Sequence, residues 1–289
     1  MRYAITLSYS GADFCGWQIQ PRDPSVQAGL EHALSTLLGT PIRVTGAGRT
    51  DTGVNAVGYV AHFDAPEPFD AAQMRYKLNA ILPASIAVLD LRESAEVFHA
   101  RFDARRREYT YFLHTVKDPF VAAFSYRCPY RLDFKRMNEA ARVLAGTHDF
   151  SCFEKVGGDN KTSVCTVSEA FWAPYTPTIS AGGLFPRQDS SAEGLPASGN
   201  ASPLFPAFPE AAQPEAAPYW YFRIAADRFL RNMVRAIVGT LLEVGRGRRT
   251  VEEFAALVTD TPQEDALPAR CLAGESVPGH ALFLSGIDY

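Results

Sequence analysis

The chain has 289 residues, of which 47% are apolar and 21% charged, the balance of a globular rather than a disordered protein. Lysine and arginine number 28 against 32 aspartates and glutamates, which gives a formal net charge of −4 at pH 7. That value excludes a protein coated with basic groups for nucleic acid, although an average can hide a basic patch. The longest apolar stretch, around 233–242, is interrupted by Arg235 and stays below the ~18 residues of a membrane span.

The cysteines and the N-terminus indicate a reduced, cytoplasmic protein. Residues 1–6 alternate like a strand and lack the apolar segment of a signal peptide. The five cysteines are odd in number and widely spaced, with no C-x-x-C and no histidine pair at zinc spacing. We therefore expect no membrane association and no structural metal.

In the first quarter of the chain, the apolar pattern predicts three strands and one helix. Alternation predicts strands over 3–9 and 57–63, and a short strand over 42–45. Between the first two strands, Ser25 can cap a helix whose apolar positions recur at helical spacing as far as Gly39.

The remaining elements mix strands and helices without regular alternation, which favours an α+β fold over a doubly wound sheet. Asn232–Val244 has the strongest helical period in the chain. The other predicted elements are a helix from Asp133 to Leu144 and strands over 87–91, 109–116, 164–172, 219–225 and 281–287.

Residues 174–218 stand apart in composition. Proline, alanine, glycine and serine supply 27 of these 45 residues. Such a segment buries too little apolar surface to offset its ordering entropy, so we predict a disordered insertion whose flanking strands can still pair.

The loop from Gly46 to Gly53 concentrates groups that could carry chemistry. Its glycines permit tight turns, and Arg49 and Asp51 place opposite charges two residues apart. Because a neighbouring guanidinium favours the ionised carboxylate, Asp51 suits a nucleophile or a base.

Three other interpretations of this loop remain open from its residues alone. The first is a structural turn in which Asp51 bonds its own backbone. The second is a phosphate cradle, although the G-K-[ST] of a P-loop is absent. The third is an aspartic protease, because Asp51-Thr52-Gly53 spells D-T-G; that class needs a second such aspartate, and the chain has no second copy.

Positive charge is concentrated in two stretches. Residues 101–136 hold nine basic and four acidic residues, and residues 219–250 hold seven against two, so each carries +5 and the rest of the chain carries −14. The first stretch leads into aromatic residues on a strand, a combination typical of RNA recognition. In the second stretch, Arg228, Arg231 and Arg235 are predicted to lie along one face of a helix. A half-buried arginine there needs a carboxylate or phosphate partner. The alternative is that the arginine forms an ion pair at the surface.

The chain resembles the tRNA pseudouridine synthase A family, and the resemblance covers essentially all of it outside the insertion. Five motifs occur in the family's order: Tyr9-Ser10-Gly11 with Gly16-Trp17-Gln18, Gly48-Arg49-Thr50-Asp51-Thr52-Gly53-Val54, Phe98-His99-Ala100-Arg101-Phe102 with Tyr109-x-Tyr111, Asn232-Met233-Val234-Arg235 with Val238-Gly239, and Leu282-Phe283-Leu284 with Asp288-Tyr289.

The resemblance implies an isomerase that converts uridine to pseudouridine in the anticodon stem-loop of tRNA, at positions 38–40, without cofactor or metal. It also implies a pseudouridine synthase fold, with two related halves around a continuous mixed, largely antiparallel sheet with a central cleft, and a homodimer. The halves would be 1–104, with the aspartate loop, and 105–289, interrupted by 174–218.

The resemblance also assigns roles. Asp51 would be the catalytic aspartate, attacking the ribose or removing a ribose proton. Arg49 would hold Asp51 ionised and fill the space of the flipped nucleotide, Tyr109 would stack on the uracil or receive its C5 proton, and Arg235 would pair with Asp51 or a phosphate. The residues expected to contact the RNA backbone are Arg101, Arg105, Arg106, Arg107, Arg228 and Arg231.

Three residues depart from the family pattern. Ser10 stands where aspartate is frequent, Asn55 where a histidine commonly follows Gly-Val, and Cys165 where a basic residue is usual. None of them removes a proposed catalytic group. The competing hypothesis is a catalytically silent tRNA-binding chaperone on the same fold.

Overall fold

The computed structural model describes residues 1–155, 157, 162–178, 217–258 and 269–289. Its helices are α1 Val26–Leu38, α2 Ala71–Ile81, α3 Phe134–Arg142, α4 Met233–Gly245 and α5 Val251–Ala255. Its strands are β1 Arg2–Tyr9, β2 Val44–Gly46, β3 Asn55–Asp64, β4 Ile86–Glu93, β5 Arg106–His114, β6 Tyr126–Arg127, β7 Gly146–Asp149, β8 Val164–Pro174, β9 Tyr219–Ala226 and β10 Leu282–Asp288.

All ten of these strands belong to one sheet. Eight follow the order β4-β1-β3-β10-β5-β9-β8-β7, while β2 pairs with β3 and β6 with β5. The β10–β3 and β5–β6 pairs are parallel, and the other pairs are antiparallel. The predicted α+β class with a continuous, mixed, largely antiparallel sheet is confirmed.

Local capping explains where the predicted helices begin and end. The Ser25 hydroxyl accepts a hydrogen bond from the Ala28 amide at the start of α1, and Gly39 ends the helix with φ of 68°. The Asp133 carboxylate caps α3 in the same way through the Arg136 amide. Both helices were predicted from these residues, although α3 ends at Arg142, two residues earlier than expected.

The predicted arginine stripe on α4 is wrong. Asn232 adopts a left-handed conformation with φ of 66°, which separates the preceding residues from the helix that begins at Met233. The Asp227 carboxylate also accepts the Arg228 amide and so stabilises a non-helical approach. Arg228 and Arg231 therefore lie in the loop before α4, and of the three only Arg235 is helical.

Two hydrophobic clusters lie on the same face of the sheet. In the first, alternate residues of β1 and β3 pack under α1 and α2, with Ile5, Leu7 and Tyr59 fully buried. In the second, alternate residues of β5, β8 and β9 pack under α3 and α4. Tyr109 on β5 packs against both clusters and is only partly buried, so it lies where the two layers meet.

The strands that flank the predicted insertion pair with each other. β8 and β9 are antiparallel, with Pro174 opposite Trp220, which confirms the predicted pairing. Most of the insertion, residues 179–216, lies outside the described residues. Within the described part of the chain, no helix combines the length and the apolarity needed to cross a bilayer.

His62 makes the stability of the fold depend on pH. His62 lies on β3 and is 5% exposed. Its Nδ1 accepts a hydrogen bond from the Ala100 amide at 3.1 Å, and the centroids of the His62 and His99 rings are 4.8 Å apart. Burial, and to a lesser extent the charge of Arg2, lowers the pKa of His62 to about 4, although Asp64 and Asp103 oppose the shift. The imidazole is therefore neutral in the fold at pH values where the unfolded chain protonates it.

We predict that acidification from pH 6.5 to about 4 destabilises the protein through His62, because only the unfolded state takes up the proton. The free energy of unfolding should fall by roughly 3 kcal/mol over this window, with no further loss from this group below it. His62→Asn retains a hydrogen-bond acceptor and should flatten the pH dependence of the urea midpoint. The exposed His32→Gln should keep the wild-type slope, and equal slopes for all three proteins would contradict the assignment.

Candidate active site

The loop 47–54, which joins β2 to β3, is held on both sides of Asp51. On the preceding residue, the Thr50 hydroxyl bonds the Tyr9 hydroxyl at 2.9 Å and the Thr50 carbonyl accepts the Trp17 amide at 3.2 Å. On the following side, the Gly53 amide donates to the Phe14 carbonyl at 3.3 Å. The backbone of Asp51 is therefore fixed by the N-terminal segment.

The start of the loop is fixed by Tyr59. Its buried hydroxyl donates to the Gly48 carbonyl at 2.5 Å and accepts the Gly48 amide at 3.3 Å. Burial raises the pKa of Tyr59, so this hydroxyl keeps its proton at neutral pH. A Cβ at Gly46 would lie 2.1 Å from the same hydroxyl oxygen, which explains the glycine there.

Asp51 opens a tight turn. The Val54 amide donates to the Asp51 carbonyl at 3.1 Å, and Gly53 takes a φ of 76° that side chains other than hydrogen disfavour. A tight turn is therefore present, and the hydrogen bond that closes it goes to the main-chain carbonyl of Asp51. The carboxylate of Asp51, however, faces a cation on another element.

That cation is Arg235, in the first turn of α4. Its Nη1 lies 3.4 Å from Oδ2 of Asp51, with the two side chains 22% and 29% exposed. Its Nε donates to the Val277 carbonyl at 2.7 Å, which fixes the guanidinium in place. Of the two partners expected for Arg235, Asp51 and a phosphate, the structure shows the carboxylate of Asp51. Because both side chains are partly exposed, the pair is accessible to a ligand.

Tyr109 brings an aromatic ring to the same place. Its ring packs edge-on against Phe229 at 5.0 Å. Burial, and then the negative charge of Asp51, raises the pKa of its hydroxyl well above the ordinary value, while Arg107 opposes the shift. Asp51, Arg235 and Tyr109 thus come together, and Arg49 lies on the exposed side of the loop that carries Asp51.

Arg107 ties three segments of the chain together at this site. Its five hydrogen bonds go to four carbonyl oxygens, those of Ala47, Arg101, Ala104 and Asp227, at 2.7 to 3.3 Å. A guanidinium has five N–H donors, so an RNA contact at Arg107 would require it to give up one of these bonds. Burial lowers the pKa of this group.

Arg106 lies on the other face of the sheet, in an ionic network. It bonds the carboxylates of Glu108, Glu169 and Asp288 at 3.1, 2.8 and 3.2 Å. The buried Glu108 is shared with Arg223 at 2.5 Å. This arrangement holds four strands together by charge, because β8, β9, β5 and β10 each contribute a side chain.

The other arginines expected to contact RNA differ in exposure. Arg101, Arg105 and Arg231 are exposed, whereas Arg228 is partly buried and donates to the Thr162 carbonyl at 3.2 Å. Their contacts with RNA remain predictions.

Asn55, one of the three residues that depart from the family pattern, has a structural role. Its Oδ1 accepts the Gly11 amide at 2.9 Å and its Nδ2 donates to the His280 carbonyl at 2.7 Å. It therefore joins the N-terminal segment to the start of β10. Cys165 is also buried, and burial raises the pKa of its thiol to about 12, so it packs as an apolar side chain.

Sequence reasoning missed Tyr9 and Tyr59, whose hydroxyls hold the loop. Tyr9 belongs to the first of the five motifs, but the motif does not show which group its hydroxyl bonds, and Tyr59 reads as an ordinary core position in an alternating strand. Tyr9 contacts a residue 41 positions away and Tyr59 one 11 positions away, so their roles emerge only from the strand register.

Comparison with known proteins shows the family of this chain. A family model described as tRNA pseudouridine synthase matches residues 140–289. The tRNA pseudouridine synthase A of Bacteroides thetaiotaomicron is 44% identical over 100% of this chain and 90% of its own length. Those of Parabacteroides distasonis and Bacillus subtilis are 43% and 36% identical over 100% of this chain and 96% and 99% of their lengths.

The chain belongs to the tRNA pseudouridine synthase family. Pseudouridine synthases are isomerases, so the predicted family, fold and enzyme class are confirmed. The target positions in tRNA and the catalytic role of Asp51 stay predictions.

We predict that Arg107→Lys loosens the loop 47–54. A lysine keeps the charge but cannot reach the Ala47, Arg101 and Asp227 carbonyls together, because its three donors share one nitrogen. Unsatisfied carbonyls should lower the free energy of unfolding by about 1–3 kcal/mol, measured by urea denaturation.

Hydrogen exchange at the amides of residues 47–54 should accelerate in the same variant. The exposed Arg105→Lys is the matched control and should change stability by less than about 0.5 kcal/mol. Unchanged exchange and stability in Arg107→Lys would show that the five hydrogen bonds do not hold the loop.

Proposed function

We propose that this chain isomerises uridine to pseudouridine in the anticodon stem-loop of tRNA, at positions 38–40, with Asp51 as the catalytic group. The observation that carries the proposal is the Asp51–Arg235 pair, 3.4 Å apart beside Tyr109, in a chain of this family. The turn and the hydrogen bonds around residues 50–54 hold the carboxylate in position before substrate arrives.

The reaction breaks the bond between ribose C1′ and uracil N1 and forms a bond from C1′ to C5. The C5 proton leaves and N1 is protonated, so the product is an isomer of the substrate and no oxidant or reductant is needed. Asp51 attacks the ribose carbon or removes a ribose proton as the first bond breaks. Both routes use the carboxylate as an anion, and Arg235 at 3.4 Å stabilises that charge.

Tyr109 supplies a plane on which the freed uracil stacks as it turns. Because burial and the charge of Asp51 raise the pKa of Tyr109, the phenol is neutral at physiological pH. A neutral phenol is a poor base, which favours stacking over direct acceptance of the C5 proton. Arg49, exposed on the same loop, fills the space that the extruded nucleotide vacates.

The substrate tRNA is held by exposed basic residues around the site, and base extrusion costs a few kcal/mol that these contacts and stacking offset. Arg101, Arg105 and Arg231 are exposed, and the partly buried Arg228 shortly precedes Arg231 in the chain. The protein acts in the cytoplasm as a homodimer, without metal or cofactor.

We predict that Asp51→Asn abolishes tritium release from tRNA labelled at C5 of uridine, because the amide retains the shape but not the charge. Affinity for tRNA, measured by filter binding, should persist. Glu93→Gln, at an exposed carboxylate on the edge strand β4, should release tritium at the wild-type rate.

Native-rate release by Asp51→Asn would refute the assignment of Asp51. A wild-type protein that binds tRNA but releases no tritium would favour the silent RNA chaperone instead. Sequencing of the modified positions in the released tRNA tests the assignment to 38–40.

We predict that tRNA affinity falls steeply with salt, since each neutralised phosphate contributes a slope of roughly −0.7 to −0.9 in log K against log salt. Arg231→Gln should reduce the magnitude of that slope by about 1 if Arg231 contacts a phosphate. Arg92→Gln, a similarly exposed arginine on the edge strand β4, should leave the slope unchanged. A flat salt response of the wild-type protein would contradict the basic footprint.

A further inference from the structure

The turn 98–103, which follows β4, presents an aromatic ring to solvent. Phe102 is 75% exposed, the same fraction as Tyr76 on the helix α2. Isolated exposed apolar side chains are common on protein surfaces, so exposure by itself says little. What distinguishes Phe102 is how firmly its surroundings are fixed.

The turn is closed by hydrogen bonds within it. The Nδ1 of His99 accepts the amides of both Arg101 and Phe102 at 3.2 Å. The Asp103 carboxylate accepts the His99 amide at 2.8 Å, and the Asp103 amide donates to the His99 carbonyl at 3.0 Å. The backbone that carries Phe102 is therefore held in one conformation.

The ring itself is supported from one side. The His99 imidazole stacks on it with ring centroids 4.3 Å apart and an interplanar angle of 28°. The Arg101 guanidinium lies 5.7 Å from the ring centroid, near the outer limit of a cation–π contact of about 6 Å. The exposed ring of Phe102 therefore lies beside the exposed positive charge of Arg101.

Arg107 joins this turn to the loop of Asp51. Its Nη2 donates to the Arg101 carbonyl at 2.7 Å and to the Ala47 carbonyl at 3.0 Å. The C-terminal Tyr289 adds a second anchor, since its hydroxyl donates to the Ala100 carbonyl at 2.8 Å. The aromatic plane therefore has a fixed position relative to the candidate active site.

We propose that Phe102 is a stacking site for an unpaired nucleobase of the RNA substrate, with Arg101 contacting the phosphate beside that base. The proposal rests on the proposed function, because it takes the ligand to be tRNA. Bases stack on any accessible aromatic face, and a preorganised ring loses little conformational entropy on binding. The ring itself has no preference for one base, since every base has a face on which it can stack.

The chemistry of the turn favours RNA over a second protein copy. Phe102 is flanked along the chain by the exposed Arg101 and Arg105, whereas protein interfaces are depleted of charge at their cores. The large exposed apolar side chains of residues 95–105 are Phe102 and Val97, and the same segment exposes four charged residues, so its apolar surface is small.

Phe102→Ala should weaken tRNA binding by roughly 5- to 150-fold, the range measured for loss of one base–aromatic stack. The effect should be seen in Kd and KM, with a smaller change in kcat. Phe102→Trp should restore affinity because it supplies a larger plane. Tyr76→Ala, with the same exposed fraction, is the matched control and should match the wild-type protein.

Fluorescence provides a test that does not need turnover. The three native tryptophans are 2 to 3% exposed, so an added surface tryptophan is the one that responds to a bound base. An anticodon stem-loop RNA should quench the emission of Phe102→Trp, whereas a blunt RNA duplex should quench it much less. Tyr76→Trp should show no such difference.

Wild-type affinity in Phe102→Ala together with no selective quenching in Phe102→Trp would overturn the proposal. So would a change in oligomeric state in Phe102→Ala, by sedimentation, with RNA affinity intact, because the ring would then be a contact between copies. These outcomes are separable from failure of the proposed function, which Asp51→Asn reports through tritium release with binding retained.

Discussion

The structure around the candidate site depends on one partly buried cation, Arg107, whose side-chain hydrogen bonds to the described residues all go to carbonyl oxygens. Arg107 uses all five of its N–H donors on the carbonyls of four residues in three separate segments. Burying a guanidinium is unfavourable unless its donors are satisfied, so the three segments must stay in register for the charge to be tolerated. The loop of Asp51, the turn of Phe102 and the loop before α4 are consequently held as one unit.

The number of basic residues in the sequence overestimates the positive charge that is available to RNA. The two stretches of +5 contain Arg106, Arg107 and Arg223, whose guanidiniums are engaged by carbonyls or carboxylates within the protein. The exposed fraction of the positive charge is therefore smaller than the sequence indicates. The exposed arginines lie near the candidate site, because Arg101 and Arg105 flank the turn that Arg107 joins to the loop of Asp51, and Arg231 lies just before α4.

The sequence predicted the elements that have strong local signals and missed those that depend on distant partners. Alternation and capping identified β1 and α1, including Ser25 and Gly39. The helix α2 was missed because only Met74 and Leu78 of its eleven residues are buried, which leaves little apolar period to detect. The left-handed Asn232 was missed for another reason: the spacing of Arg228, Arg231 and Arg235 extended the helical pattern back beyond Asn232, and an asparagine gives no clear sign that it breaks that pattern. At the site, Asp51 was found from its motif, whereas the bonds of Tyr9 and Tyr59 to the loop required the register of the sheet.

The parallel β3–β10 pair explains why distant residues can form one site. Parallel strands begin at the same edge of a sheet, so the turn of Asp51 before β3 and the segment 277–281 before β10 must be neighbours. Asn55 joins these strand starts through the His280 carbonyl, and Val277 in the same segment accepts Arg235. Because the antiparallel β5 lies beside β10, Tyr109 is opposite Leu284 and reaches the same region. The polar Asn55 at this junction therefore contributes to the geometry of Asp51 and Arg235 without touching either side chain's charged end.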